Sequence, residues 1–333
     1  MTLRFHSSSS CAPRLTGTEF GGAWLGRRAP GPDFAWPVQA ICAPLLGADM
    51  AVVQETWLRE AAPSRQGVAE GIAWRRAGDT LFGVIELDEA DFGDERRAPL
   101  QAASEAAYGR IFRLLEAQKL PHLWRVWNYM ADINAESHGL ERYRQFNVGR
   151  RDAFMARRGG AGNVPAACAL GLAAGPLSIA FLAGRAAPVP IENPRQVSAY
   201  RYPPRYGPRA PIFARAALVR PPAQEILFVS GTASIVGHRT VHPQDVIGQC
   251  HEAMVNLGAV VAEVNRAANS RPFALEELAY RVYVRHAADF PSIRDELARR
   301  IGGAQVLYVQ ADICRADLLL EVEAMAAHAL GQE

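Results

Sequence analysis

The sequence predicts an α+β chain of two related domains, each a mixed sheet with helices packed on one face. Three observations predict it. At 333 residues the chain is longer than one hydrophobic core comfortably fills, so two domains of about 150 residues are expected. The order strand, long amphipathic helix, strand occurs twice. A Gly-rich break, ARRGGAGNVP at 156–165, lies between the copies and sets the expected domains at 1–158 and 159–333.

In the first copy TLFGVIELDE reads as a strand, Leu100 to Gln118 as a helix and LWRVWNYMADIN as a second strand. Val164 to Gly184 then runs for 21 residues without a charge. Its prolines and glycines favour a short Ala-rich helix, a Gly-Pro break and a buried strand, PLSIAFLAG, over a membrane span. In the second copy EILFVSGTASIVG is the strand. Pro243 to Ala267 is the helix, with apolar Val246, Met254, Leu257, Val260 and Val261 at helical spacing. AYRVYVRHAADF follows, its Tyr280, Val282 and Val284 alternating with Arg281, Tyr283 and Arg285. A short helix at Pro291 to Arg300 and the strands AQVLYVQADI and LLLEVEAMA close the chain.

Composition removes several function classes. A formal charge of +2 gives no field that implies nucleic acid or an anionic membrane as a partner. Lys119 is the single lysine and ends a predicted helix, which sets Schiff-base chemistry aside. Five scattered cysteines without a CxxC pair argue against a disulfide framework or zinc site and suit a reducing cytoplasm. The opening MTLRFHSSSSCAPR has no apolar core of a signal peptide. His238 and His242 lie four apart in a turn with no acidic third ligand, so no metal is expected.

Two features could carry chemistry. In the last strand, period two puts Glu321 and Glu323 on one face, with Leu320 and Val322 on the other. Paired carboxylates among apolar neighbours are placed for their pKa values to separate, the more buried one becoming a general acid near neutrality. An edge strand with a solvated acidic face would give the same pattern. Residues 192–218 hold five prolines, three tyrosines and five arginines, which makes most of the segment ordered loop. Arginine forks suit carboxylates and tyrosines give flat walls with polar tips; a surface loop with solvated arginines is the other reading. Cys314 alone reads as a small buried hydrophobe.

Taken together, several segments resemble a known family. FVSGTASIVG, QCHEAMVNLGAVV, YVRHAADFPSIR and LLLEVEAMA resemble the YjgF-like reactive-intermediate deaminase superfamily, whose closing strand carries a paired-acid motif with its first Glu at the position of Glu321. The small deaminases use an arginine that Val306-Leu307-Tyr308 lacks, which disfavours imine hydrolysis. RYRQFNVGR, ENPRQVSAYRYP, SGTASIVGH and QADICRADLLLEVEA, in that order over about residues 140 to 325, resemble the chorismatases, which pair a YjgF-like catalytic half with a related N-terminal domain.

That resemblance implies cleavage of chorismate with release of pyruvate, without metal or organic cofactor. It implies that Glu321 protonates the enolpyruvyl methylene carbon. Cys314 matches the members that make 3-hydroxybenzoate, some alongside 4-hydroxybenzoate, rather than those that hydrolyse chorismate to a dihydroxycyclohexadiene carboxylate. Arg150, Tyr200, Arg201, Tyr206, Arg215 and Arg294 are the implied carboxylate-binding residues, with small Ala233 lining the pocket. A monomer or a trimer would fit, and the product would feed secondary metabolism. An imine deaminase or a non-catalytic YjgF-like binding protein are the competing readings.

Overall fold

The computed structural model describes residues 2–8, 18–27, 34–47, 51–59, 64–94, 97–158 and 164–331. Cys11 and the Gly-rich run at 159–163 lie outside them. The chain first forms β1 (Leu3–Ser8), β2 (Glu19–Gly26), β3 (Val38–Cys42) and β4 (Val52–Arg59), a four-stranded sheet in the order β1-β4-β2-β3. Next come β5 (Ser64–Ala69), β6 (Ile72–Ala77), β7 (Thr80–Leu87), helix α1 (Pro99–Ala117) and β8 (His122–Ala131). The small hairpin β9 (Glu136–Ser137) and β10 (Leu140–Glu141) leads into α2 (Arg142–Arg158), β11 (Ala166–Leu172) and β12 (Leu177–Gly184). The third part holds β13 (Val189–Ile191), β14 (Ala216–Val219), β15 (Gln224–Thr232), the hairpin β16 (Ile235–Val236) and β17 (Arg239–Thr240), then α3 (Val246–Ala267) and β18 (Ala279–Val284). It ends with α4 (Phe290–Ile301), β19 (Val306–Gln310) and β20 (Leu320–Ala329).

The second and third sheets repeat one topology. Their strand orders are β11-β8-β12-β7-β6-β5 and β13-β14-β15-β20-β18-β19. Reading the third backwards matches β19, β18, β20, β15, β14 and β13 to β11, β8, β12, β7, β6 and β5. In both, the pair crossing over a helix, β8 with β11 and β18 with β19, is parallel and the remaining pairs are antiparallel. The chain is thus α+β with two related units, as the sequence predicts. Because β11 and β12 complete the second sheet, the units part at 185–188, not at 158/159.

Periodicity sets the layers. One face of each repeated sheet packs on its two helices, Ile111, Leu114, Phe146 and Phe154 filling the first such core. Leu257, Val260, Ile293, Leu320 and Val322 fill the second. The opposite faces join the four-stranded sheet around one central core containing Leu25, Trp57, Phe82, Trp127, Phe228 and Tyr283. Period two therefore turns Glu321 and Glu323 inward to the junction of the sheets, while Leu320 and Val322 meet the helices.

Local chemistry explains the ends of the elements. Pro99 opens α1, where its missing N–H costs nothing, and Lys119 at φ +55° follows its last turn. The Asp245 side chain caps α3 by accepting from Gly248 N at 2.9 Å. One expectation fails: 164–172 is not an Ala-rich helix but strand β11, paired in parallel with β8. All seven of its residues are buried. A strand covered on both faces reads as a continuous apolar run, and tertiary packing overrides alanine's helix preference. No helix among the described residues is long and apolar enough to cross a membrane.

Candidate active site

A cavity of about 340 Å³ lies between the two repeated sheets. That is room for a small organic molecule. Glu321 stands in its wall, on the central strand β20 between β15 and β18, and is 3% exposed. The edge-strand alternative is therefore set aside. Between Val229 and Thr232, β15 carries a bulge against β20, with Ser230 and Gly231 opposite Glu323. The bulge brings Gly231 against the Glu321 carboxyl: a Cβ there would lie 1.8 Å from Oε1. The Ser230 hydroxyl ties the bulge to the other sheet, accepting from Ala167 N at 2.9 Å and donating to Ala214 O at 2.5 Å.

The two acids of β20 have different surroundings. Glu323 is ion-paired with Arg125 from β8 and with Arg281 from β18, the latter at 3.2 Å, and accepts from Trp127 Nε1 at 3.3 Å. Glu321 Oε2 faces the Cys314 thiol at 3.9 Å, and its Oε1 has no hydrogen-bond donor among the described residues. Burial first, then the charge of Glu323, push the Glu321 carboxyl up to about 8; Arg125, Cys314 and Arg215 oppose this. It is a protonated acid at neutral pH, aimed into a cavity. Burial and the neighbouring Glu321 push the Cys314 thiol up to about 12, so it is a thiol rather than a thiolate nucleophile.

Cations line the remaining walls. Arg150 comes from α2, is 2% exposed and lies over Tyr108 at 5.1 Å and Phe154 at 5.7 Å. Its Nε and Nη2 have no acceptor among the described residues. A buried guanidinium with free donors is a ready anion site. Arg215 donates to Tyr202 Oη at 2.8 Å and Val197 O at 3.0 Å, leaving its Nε without an acceptor among the described residues. Arg315 lies over the Tyr206 ring at 4.3 Å and the Tyr202 ring at 5.3 Å, and donates to His238 O at 3.0 Å. Arg285, outside the cavity, gathers the carbonyls of Ile313, Arg315 and Leu318 and pairs with Asp312 at 2.5 Å, which fixes the turn bearing Cys314 and Arg315.

Of the residues chosen from sequence, Glu321, Cys314, Arg150, Tyr206, Arg215 and Ala233 line the cavity. Tyr200, Arg201 and Arg294 do not. Tyr200 and Arg201 sit on a short 3-10 turn whose Ala199 is the buried residue, so they stack on each other at 5.8 Å instead. Arg294 lies on α4, on the helix side of the third sheet, over Phe290 and paired with Asp295 at 2.8 Å. Tyr143, Tyr202, Cys168, Phe213 and Arg315 line the cavity without having been singled out. Tyr202 and Arg315 belong to the quoted motifs; Tyr143 lies in RYRQFNVGR but on α2, a helix outside the predicted elements. His238 packs edge-on to Tyr206, and His242 faces Glu252 at 3.4 Å.

The chain also has relatives among known proteins. The family described as chorismatase FkbO/Hyg5-like, N-terminal, matches residues 55–183 and ends where β12 ends. A chorismatase of Streptomyces rapamycinicus is 40% identical over 281 residues, covering 82% of both chains. A 3-hydroxybenzoate synthase of Streptomyces hygroscopicus is 39% identical over 280 residues, covering 81% of this chain and 80% of its own. A chorismatase crystal structure superposes with a TM-score of 0.87 at 34% identity, covering 98% of each chain.

Proposed function

The chain belongs to the chorismatase family, and from that premise we propose that it cleaves chorismate to pyruvate and 3-hydroxybenzoate with Glu321 as the proton donor. The observation that carries the reading is the buried Glu321 carboxyl, its Oε1 without a donor among the described residues and its pKa pushed up to about 8, facing a cavity lined by buried arginines. An enol ether is cleaved by protonation at its methylene carbon, which needs an acid that keeps its proton near neutrality. Chorismate brings two carboxylates. Arg150 and Arg215 hold donors without acceptors among the described residues, and Arg315, stacked on two tyrosines, adds a third cation to the lining.

Proton transfer from Glu321 to the methylene carbon gives an oxocarbenium ion. The neighbouring ring hydroxyl then attacks the ring carbon that bears the ether, breaking its bond to the departing pyruvate and forming a protonated epoxide. The epoxide's other C–O bond opens, and loss of the proton from the carbon that keeps the oxygen, to the Glu321 carboxylate, makes the ring aromatic. The atoms balance without water, and no step calls for a metal or organic cofactor. Capture by water instead would give the dihydroxycyclohexadiene carboxylate. Two observations favour the internal route. The Cys314 thiol packs against Glu321 Oε2 at 3.9 Å, which narrows the room for an attacking water beside the acid, and a 39% identical relative carries the name 3-hydroxybenzoate synthase.

The experiment is incubation of purified protein with chorismate and chromatography of the products. Pyruvate with 3-hydroxybenzoate is expected. Pyruvate with the dihydrodiol would reassign the product, and no pyruvate would defeat the reading.

A further inference from the structure

Behind Glu321, on the side away from the cavity, charged groups from all three sheets meet. Glu323 of β20 contacts Arg125 of β8 and Arg281 of β18. The other edge of Arg281 is held by Glu55 of β4, and its Nη1 donates to Tyr129 Oη at 2.8 Å and Tyr283 Oη at 3.1 Å. The two tyrosine hydroxyls share a 2.5 Å hydrogen bond. None of these side chains is more than 6% exposed. Two carboxylates and two guanidiniums make the knot neutral overall.

Buried ion networks of this kind seldom gain stability over apolar packing of the same shape, because desolvation offsets the attraction. This one sits one strand pleat from the catalytic carboxyl. We propose that Glu55 is a positioning residue for Glu321: by holding one edge of the Arg281 guanidinium it keeps Arg281 from wholly neutralising Glu323, so that the Glu323 carboxylate still faces the catalytic acid.

The inference rests on Glu321 being the proton donor. Besides Glu323 on its own strand, the groups facing Glu321 are Arg125 of β8, Tyr143 of α2 and Cys168 of β11. Arg215 and Cys314 approach from the loops. Tyr283 of β18 is its register partner. Glu55 and Arg281 act one layer behind these. Burial raises the Glu55 carboxyl and Arg281 opposes that rise.

The test is the pH profile of kcat/KM for pyruvate release. With Glu55→Gln, Arg281 has only Glu323 to pair with, and the basic limb moves to lower pH. A unit charge at roughly 10 Å in an effective dielectric near 20 shifts a pKa by about one unit. With Arg281→Met, Glu323 keeps one arginine fewer, and the limb moves to higher pH. Opposite shifts in two folded variants are not what a merely structural role produces. If either single variant fails to fold, the double variant Glu55→Leu with Arg281→Met, which removes one charge of each sign, should place the limb within half a unit of wild type.

An unmoved limb in Glu55→Gln, shifts of the same sign in both single variants, or a double variant displaced by a unit or more would overturn the proposal. Glu321→Gln separates the two levels of the argument. If it is inactive while the limb of Glu55→Gln stays put, the acid stands and the role of Glu55 falls. If Glu321→Gln is active, both fall.

Discussion

Substituting Gly231 by alanine probes the placement of the acid without touching its chemistry. The backbone at Gly231 is not in the left-handed region, so alanine brings no conformational strain. The conflict is spatial: the new methyl would lie 1.8 Å from Glu321 Oε1 and 2.4 Å from its Cδ. Ordinary contact is about 3.5 Å, so the carboxyl must retreat by roughly 1.5 Å. Misplacement of a catalytic group by about 1 Å costs on the order of 100-fold in rate, or ~2.7 kcal/mol of barrier. Overpacking at a core position costs about 1–3 kcal/mol of stability. Coupled detection of pyruvate should show kcat lowered ~100-fold with KM changed much less, and thermal melting should show a folded protein. Wild-type kcat in Gly231→Ala would mean that the acid does not act from the position seen here.

Further outcomes follow from the same geometry. Because Glu321 is held up at about 8, kcat/KM should be level near neutrality and fall above about pH 8 as the acid ionises. The same shift makes folding take up a proton between the unfolded value of about 4.3 and about 8. Stability should be greatest below that window and decline across it, and Glu321→Gln should be more stable than its parent at pH 7 but equal to it in acid; denaturant titrations at both pH values decide this. Losing the charge-assisted bonds of Arg150 costs about 1.5–3 kcal/mol, so Arg150→Met should raise KM roughly 10- to 100-fold. Arg294→Ala, on the far side of the sheet, should leave both constants unchanged. Cys314→Ala opens space beside Glu321 Oε2 and should move products from 3-hydroxybenzoate toward the dihydrodiol, a ratio that chromatography reads directly.

The sequence carried the repeated frame well, because long apolar periods are local. Helices α1 and α3 and strands β7, β8 and β20 fall within a few residues of where periodicity puts them, while β15 and β18 start where expected but end five and six residues earlier. It carried β11 badly, since alanine has the composition of a helix and only its neighbours make it a strand. The shared face of Glu321 and Glu323 was legible from period two. What separates them was not, because the arginines that claim Glu323 stand on other strands, Arg281 on β18 and Arg125, 198 residues away, on β8. Counting arginines in motifs does not tell which face each occupies, so it selects Arg294 and misses Arg315, in QADICRADLLLEVEA. Gly231 left a signal: a glycine within a strand commonly marks a bulge or a close approach, and here it marks both.

The most direct test of the account is Glu321→Gln, which keeps the shape of the side chain and removes the transferable proton. Calorimetry should show chorismate still bound, since Arg150 and Arg215 are untouched, while pyruvate release falls by at least about 1000-fold. Release at close to the wild-type rate would show that the proton comes from elsewhere and would contradict the account.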